Sequence, residues 1–248
     1  MALYSSPGDN DMIPKRKKPL LFLLLTIIVV SVPPGFASGA GLPLLAKDAV
    51  ILAFGDSLTF GTGAAPGESY PAVLERVVGR RVVNEGIPGE TTGEGLARLP
   101  EMLKREKPAL LILCHGANDF LRGLNRRQAA ANLRAMIRLS RERGTAVVLI
   151  AVPLLEIDLS PDPLYLEIAI EKGAVVQIEV PSPNITLSPA PLYREIAWEM
   201  GIPLEEKALT TVLSDSTLLS DPIHPNAAGY RQLAESIASL LRRSGAVK

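Results

Sequence analysis

AVILAFGDSLTFG, residues 49–61, decides the fold. Its apolar run, Ala49 to Phe54, leads without a polar interruption into Gly55, Asp56 and Ser57. A strand with no in–out alternation is buried on both faces, as in a parallel sheet covered by helices on each side. Further runs of strand character lie at Arg81 to Asn84, Ala109 to Cys114 and Ala146 to Val152. Between and after them, Tyr70 to Val78, Gly95 to Arg105 and Arg127 to Arg141 carry apolar residues at helical spacing. Alternating strands and helices joined by right-handed crossovers predict an α/β chain, a flavodoxin-like three-layer α/β/α sandwich around a parallel sheet. Ligands bind such sheets beyond the carboxyl ends of the strands, so Ser57 stands where chemistry is expected.

Composition narrows the function. The chain has 248 residues, 47% hydrophobic and 21% charged, which excludes disorder, collagen and a small disulfide-stapled scaffold. Its 26 Lys and Arg balance 26 Asp and Glu, so there is no broad positive field and no nucleic-acid partner is expected. The single cysteine, Cys114, excludes an intrachain disulfide and a cysteine-cluster metal site, and its flank LLILCHG reads as a buried strand end. Two histidines and scattered carboxylates give a metal site little support, and no cofactor is expected.

Residues 1–39 read as an address. Lys15 to Lys18 precede the apolar run Leu20 to Val32, which Pro33 and Pro34 close before the small residues Ala37 to Ala40. As a helix that run reaches only ~20 Å, short of the roughly 30 Å hydrocarbon core, which favours a cleaved export signal over a membrane anchor. Cleavage after Gly39 leaves one domain, residues 40–248, with 22 basic and 24 acidic residues. Membrane association is expected only through an uncleaved N-terminal segment, and the expected location is periplasmic or secreted.

Residues 147–174 and 175–202 align without gaps and share 17 of 28 positions, including LSP-x-PLY-x-EIA-x-E-x-G. This is a tandem copy of one strand-loop-helix unit inside a globular fold, since two copies are too few for a solenoid. VVLIAVP of the first copy is apolar on both faces, whereas VVQIEVP of the second puts Gln177 and Glu179 on one face, as an edge strand would. The first helix has Leu166 and Ile170 where the second has Arg194 and Trp198, so the first unit reads as the more deeply buried. The loops after the two strands, Leu154 to Asp162 and Ser182 to Ala190, fall on the same side of the sheet as Ser57 and are apolar and proline-rich.

Four blocks carry chemistry. Ser57, at a strand end, is a candidate nucleophile, although a capping role for Ser57 or Asp56 is an open alternative. His224, in Asp221-Pro222-Ile223-His224-Pro225-Asn226, is a candidate base: a carboxylate three residues earlier can accept from Nδ1 and leave Nε2 free for a serine proton. A loop histidine beside a helix-capping Asn226 is the competing reading. Gly116-Ala117-Asn118-Asp119 follows the third strand and Asn84-Glu85-Gly86-Ile87-Pro88-Gly89-Glu90-Thr91 the second. A glycine amide and an amide side chain there could meet the negative charge that grows on an attacked carbonyl oxygen, or merely form turns. His115 reads as a satisfied strand-end histidine or as a donor behind the site.

GDSLTFG, NEGIPGETT, GAND and DPIHPN, in this order, resemble the blocks of the GDSL or SGNH hydrolases. The resemblance runs from about Ala49 to Leu241 and is greatest to exported bacterial esterases that act as arylesterases, thioesterases and lysophospholipases. It implies a cofactor-free serine ester hydrolase acting on small-molecule or lipid esters. Ser57 is then the nucleophile, His224 the base and Asp221 its orienting carboxylate. The Ser57 amide, the Gly89 amide and the Asn118 side chain form the oxyanion hole, with Gly86 the fallback glycine. Two features depart from the family pattern: His115, expected to alter substrate access, and the extra 28-residue unit, which leaves the strand count open. A carbohydrate deacetylase of the same family would call for aromatic platforms, and only 4% of residues are aromatic. A non-catalytic flavodoxin-like module could hold phosphate at Gly61-Thr62-Gly63, a weak glycine signal.

Overall fold

Burial follows the apolar runs. In the computed structural model, which describes residues 41–158 and 184–248, β1 (Val50–Gly55) is buried at every position after Val50, and β3 (Leu110–Cys114) is buried throughout. With β2 (Arg81–Gly86), β4 (Ala146–Ile150) and the short β7 (Leu204–Glu205) they form a parallel sheet of order β2-β1-β3-β4-β7. The chain leaves β1 towards β2 on one side and returns to β3 on the other, so the order reverses at β1 and opens a crevice beyond the carboxyl ends of β1 and β3.

The helices make the outer layers. On one face α2 (Tyr70–Val78) packs on the C-terminal helix α8 (Ala227–Arg243), which also meets the short α7 (Ala208–Leu213). On the other, α3 (Thr92–Glu106) packs on α5 (Arg126–Glu142), which meets α6 (Pro191–Met200). The three-layer sandwich expected from the alternation is therefore the architecture, and the chosen segments match elements to within a few residues. Residue choice explains the ends. Thr91 and Glu94 form a reciprocal capping box on α3, and Asn226 caps α8 by accepting the Ala228 and Gly229 amides at 2.9 and 3.1 Å.

The duplicated region corrects one expectation. The segments read as loops, Leu154 to Asp162 and Ser182 to Ala190, supply β5 (Pro153–Asp158) and β6 (Asn184–Pro189), which pair antiparallel from Pro153↔Pro189 to Asp158↔Asn184. β-Branched residues suit the pairing, with Ile157 opposite Ile185 and Thr186 opposite Glu156. The described unit is moreover composite, because β4 belongs to the first copy and α6 to the second. The first-copy helix and the strand VVQIEVP lie outside the described residues, so its expected edge position does too. Within the described sheet β4 lies between β3 and β7.

Candidate active site

Asp56 and Ser57 divide the two roles that the sequence left open. Asp56 is the cap: its Oδ1 accepts the Leu58 amide at 3.0 Å and starts the short helix α1 (Ser57–Phe60). Burial pushes the Asp56 carboxyl above the ordinary carboxylate range, against the opposing pull of His115. Ser57 is free of capping and places Oγ 3.0 Å from Nε2 of His224.

His224 comes from the other end of the chain on a tight hairpin of β8 (Leu219–Asp221) and β9 (His224–Pro225). Its Nδ1–H donates to Oδ2 of Asp221 at 2.7 Å, while Oδ1 of Asp221 accepts the amides of Ile223 and His224, both at 2.9 Å. One carboxylate thus folds the turn and orients the ring, which is why a three-residue spacing suffices. Burial works to raise the Asp221 carboxyl, but the Ile223 amide and the His224 imidazole outweigh it and hold it below the usual range. With Nδ1 protonated, Nε2 is left to accept from the serine hydroxyl.

The oxyanion side is assembled from the loops after β2 and β3. Ile87-Pro88-Gly89-Glu90 is a turn closed by the Glu90 amide donating to the Ile87 carbonyl at 3.1 Å, with Gly89 at φ +81°, a conformation that only glycine adopts without strain. Neither the Gly89 nor the Ser57 amide has an acceptor among the described residues, so both are available to a ligand. Asn118 lies on α4 (Ala117–Leu121), and its Nδ2 donates to the Glu90 carbonyl at 3.0 Å, leaving its second N–H uncommitted. Gly86, the alternative glycine, is packed against the backbone of Phe60, where a Cβ would collide. It therefore serves the close approach of β2 and α1.

Ser57, Gly89, Asn118 and His224 line one cavity of about 510 Å³. Its apolar wall includes Leu58, Phe120, Val152, Leu154, Leu187 and Leu213, so β5 and β6 each contribute a leucine. Asp221 stands behind His224. His115 is fully buried and is not among the lining residues, which corrects the expectation that it alters substrate access. The side chain points instead at Glu90, with Nε2 3.1 Å from Oε2. The phosphate-loop alternative fails on geometry, since the amides of Gly61 and Thr62 are both spent on the Ser57 carbonyl, at 3.0 and 3.1 Å. Among the described residues no cluster of three or more His, Cys, Asp and Glu could hold a metal ion.

Residues 53–232 match the family model described as GDSL-like lipase/acylhydrolase. The chain belongs to this family. Among its relatives, esterase TesA of Pseudomonas aeruginosa is 38% identical over 109 residues, 42% of this chain and 54% of that protein. An arylesterase of Vibrio mimicus is 39% identical over 107 residues, 41% of this chain and 54% of that protein. The matched segments span about half the length of these curated relatives. The crystal structure of TesA superposes with a TM-score of 0.62 at 28% identity, over 79% of this chain and 99% of the other. This GDSL-family chain also has residues around the site whose partners its sequence did not reveal. Asp119 accepts the Thr92 amide at 2.8 Å and the Thr92 hydroxyl at 2.7 Å, tying α4 to the start of α3. Tyr193, on α6, donates its hydroxyl to the His115 carbonyl at 2.7 Å. Arg98 grips Glu90 from α3. The invariance of Tyr in both copies, Tyr165 and Tyr193, was the one available signal.

Proposed function

We propose that the chain is a serine ester hydrolase that cleaves carboxylic esters or thioesters through an acyl-enzyme. The observation that carries this reading is the unbroken line from Ser57 Oγ through the His224 ring to Asp221, with links of 3.0 and 2.7 Å, at the mouth of an apolar cavity. Ser57 Oγ attacks the carbonyl carbon and its proton passes to Nε2 of His224. The resulting imidazolium is stabilised by Asp221. Negative charge on the carbonyl oxygen is met by the Ser57 and Gly89 amides and by Asn118 Nδ2. Collapse expels the alcohol or thiol, which takes the proton from His224. Water then yields a proton to the same nitrogen and attacks the acyl-enzyme, and His224 returns that proton to Ser57 Oγ as the acid is released.

The preference within this class is for an arylesterase, acyl thioesterase or lysophospholipase activity, with the leucine-rich wall taking the acyl group. Arg126 is on the cavity lining with its guanidinium 5.9 Å from the Phe120 ring centroid, and gives an anionic leaving group a cation to meet. Among the described residues Phe120 is the one Phe, Trp or Tyr on that lining, which disfavours a carbohydrate deacetylase. We further propose export, with residues 1–39 as signal or anchor ahead of a domain from 40 to 248. Among the described residues no helix is long and apolar enough to cross a membrane.

Incubation with a fluorophosphonate, followed by peptide mass spectrometry, is expected to find one adduct, on Ser57. Nitrophenyl esters of rising chain length, acyl-CoA and lysophospholipid, assayed in parallel, then rank the substrates. Labelling elsewhere, or ester turnover retained by Ser57→Ala, would overturn the reading.

A further inference from the structure

His115 is bracketed by two of the four site blocks. On the glycine block, its Nε2–H donates to Oε2 of Glu90 at 3.1 Å. That carboxylate is also held by Arg98, Nε to Oε1 and Nη2 to Oε2, both at 2.8 Å. Arg98 is itself fixed, with Nη2 donating to the Glu85 carbonyl at 3.0 Å and its guanidinium 4.2 Å from the centroid of Phe54. Glu90 is thus 6% exposed with three charge-assisted hydrogen bonds, and its main-chain carbonyl receives Asn118 Nδ2. On the asparagine block, the His115 carbonyl is pinned by the Tyr193 hydroxyl at 2.7 Å, three residues before Asn118. Gly95 on α3 completes the seat: a Cβ there would collide with the His115 ring, so the imidazole occupies space that only glycine leaves.

Resting on the hydrolase reading above, we infer that His115 is a positioning residue: through the Glu90 carboxylate it fixes the glycine turn and the Asn118 amide, and so sets the geometry of the oxyanion hole. The ring touches neither substrate nor the reacting atoms. Its effect is on where the Glu90 carbonyl lies, and therefore on where the second N–H of Asn118 points. Donation from Nε2 suits this role, because the Glu90 carboxylate can only accept. Donors aimed in advance at developing charge act without reorganisation, so small displacements are costly.

The experiment measures kcat and KM per fluorophosphonate-titrated site, which counts only competent enzyme and removes any loss from misfolding. His115→Leu is expected to lower kcat by about 10- to 100-fold with KM within about twofold, since a misaimed donor weakens the transition state. Binding of an alkyl boronic acid, a tetrahedral mimic, should weaken by the same factor. His115→Gln, whose amide can still donate to Glu90, should recover most of the loss. In an Asn118→Ala background the added effect of His115→Leu should fall below about twofold, because the two act through one donor. If His115→Leu does not fold, Glu90→Gln is read by the same measurements and should show the same split and the same loss of additivity. Unchanged kcat per titrated site, or full additivity with Asn118→Ala, would overturn the inference. Absence of turnover in the unsubstituted enzyme would instead overturn the hydrolase reading.

Discussion

The two histidines work under opposite conditions. His224 sits on a surface hairpin with 14% of its side chain exposed and an orienting carboxylate, Asp221, that is 44% exposed. His115 is fully buried, and its carboxylate partner Glu90 is 6% exposed and doubly gripped by Arg98. The contrast matches the proposed roles. A group that exchanges protons each turnover gains from nearby water and a hinge-like turn, whereas a group that only holds geometry gains from a dry site where hydrogen bonds are stronger and side chains are locked. The proposed acid–base arm is thus local and solvated, and the oxyanion arm is buried and networked.

The sharpest break comes on the first arm. Ser57→Ala or His224→Ala should lower kcat on the order of 10⁶-fold with little change in thermal midpoint, measured by nitrophenyl butyrate turnover and calorimetry. Asp221→Asn should cost up to about 10⁴-fold by disturbing the tautomer. On the other arm, Asn118→Ala should lower kcat by about 100- to 1000-fold at nearly constant KM, and a pure KM effect would move Asn118 from catalysis to substrate binding.

A deletion tests whether both arms are independent of the duplication. Removal of residues 158–185 joins Ile157 to Thr186 in register and keeps β4 from the first copy with α6 from the second. The side chains that α6 buries, Tyr193, Ile196 and Ala197, are repeated as Tyr165, Ile168 and Ala169, while Leu166 and Ile170 stand where exposed Arg194 and Trp198 do. Keeping α6 rather than its twin therefore keeps two apolar residues off the surface. Turnover of nitrophenyl butyrate should stay within the same order of magnitude and the chain-length profile should shift, because Leu154 and Leu187 line the cavity. Cooperative unfolding with no activity would place the inserted residues in the catalytic architecture.

The smallest effects are in stability against pH, and they separate Glu90 from Asp56 by sign. Burial works against the Glu90 carboxylate, yet hydrogen bonds from Arg98 and His115 hold it below its ordinary range. Its contribution is therefore present above an unfolded value of about 4.5 and is lost as pH falls through the lower folded value. Asp221 is lowered in the same direction, but its exposure leaves little stability at stake. Asp56 is raised by burial, so its contribution is full below an unfolded value of about 3.8 and is lost as pH rises through the folded value. Melting curves from pH 3 to 8 should accordingly show Glu90→Gln destabilising at neutral pH with the deficit shrinking in acid. Asp56→Asn, which keeps an oxygen for the Leu58 amide, should raise the midpoint at neutral pH by roughly 2–4 °C. A lower midpoint would mean that the Asp56 charge is stabilised by partners other than those described.

What could be read without coordinates was local or periodic. Uninterrupted apolar strands imply a covered parallel sheet, helical spacing marks α2, α3 and α5, and Asp221 meets His224 because a single turn brings residues three apart together. The likeness of four short blocks to a family ordered the remaining candidates. Tertiary structure decided the rest. Glu90 and His115 are 25 residues apart and Tyr193 is 78 from the carbonyl it holds, so neither pairing has a local signature. Tyr193, Ile196 and Ala197, which α6 buries, are also repeated as Tyr165, Ile168 and Ala169, so sequence periodicity alone cannot tell the two segments apart. In α6 the differing positions face solvent and Arg194 pairs with Glu206 at 2.6 Å, because only the folded surface distinguishes a leucine from an arginine at an exposed site.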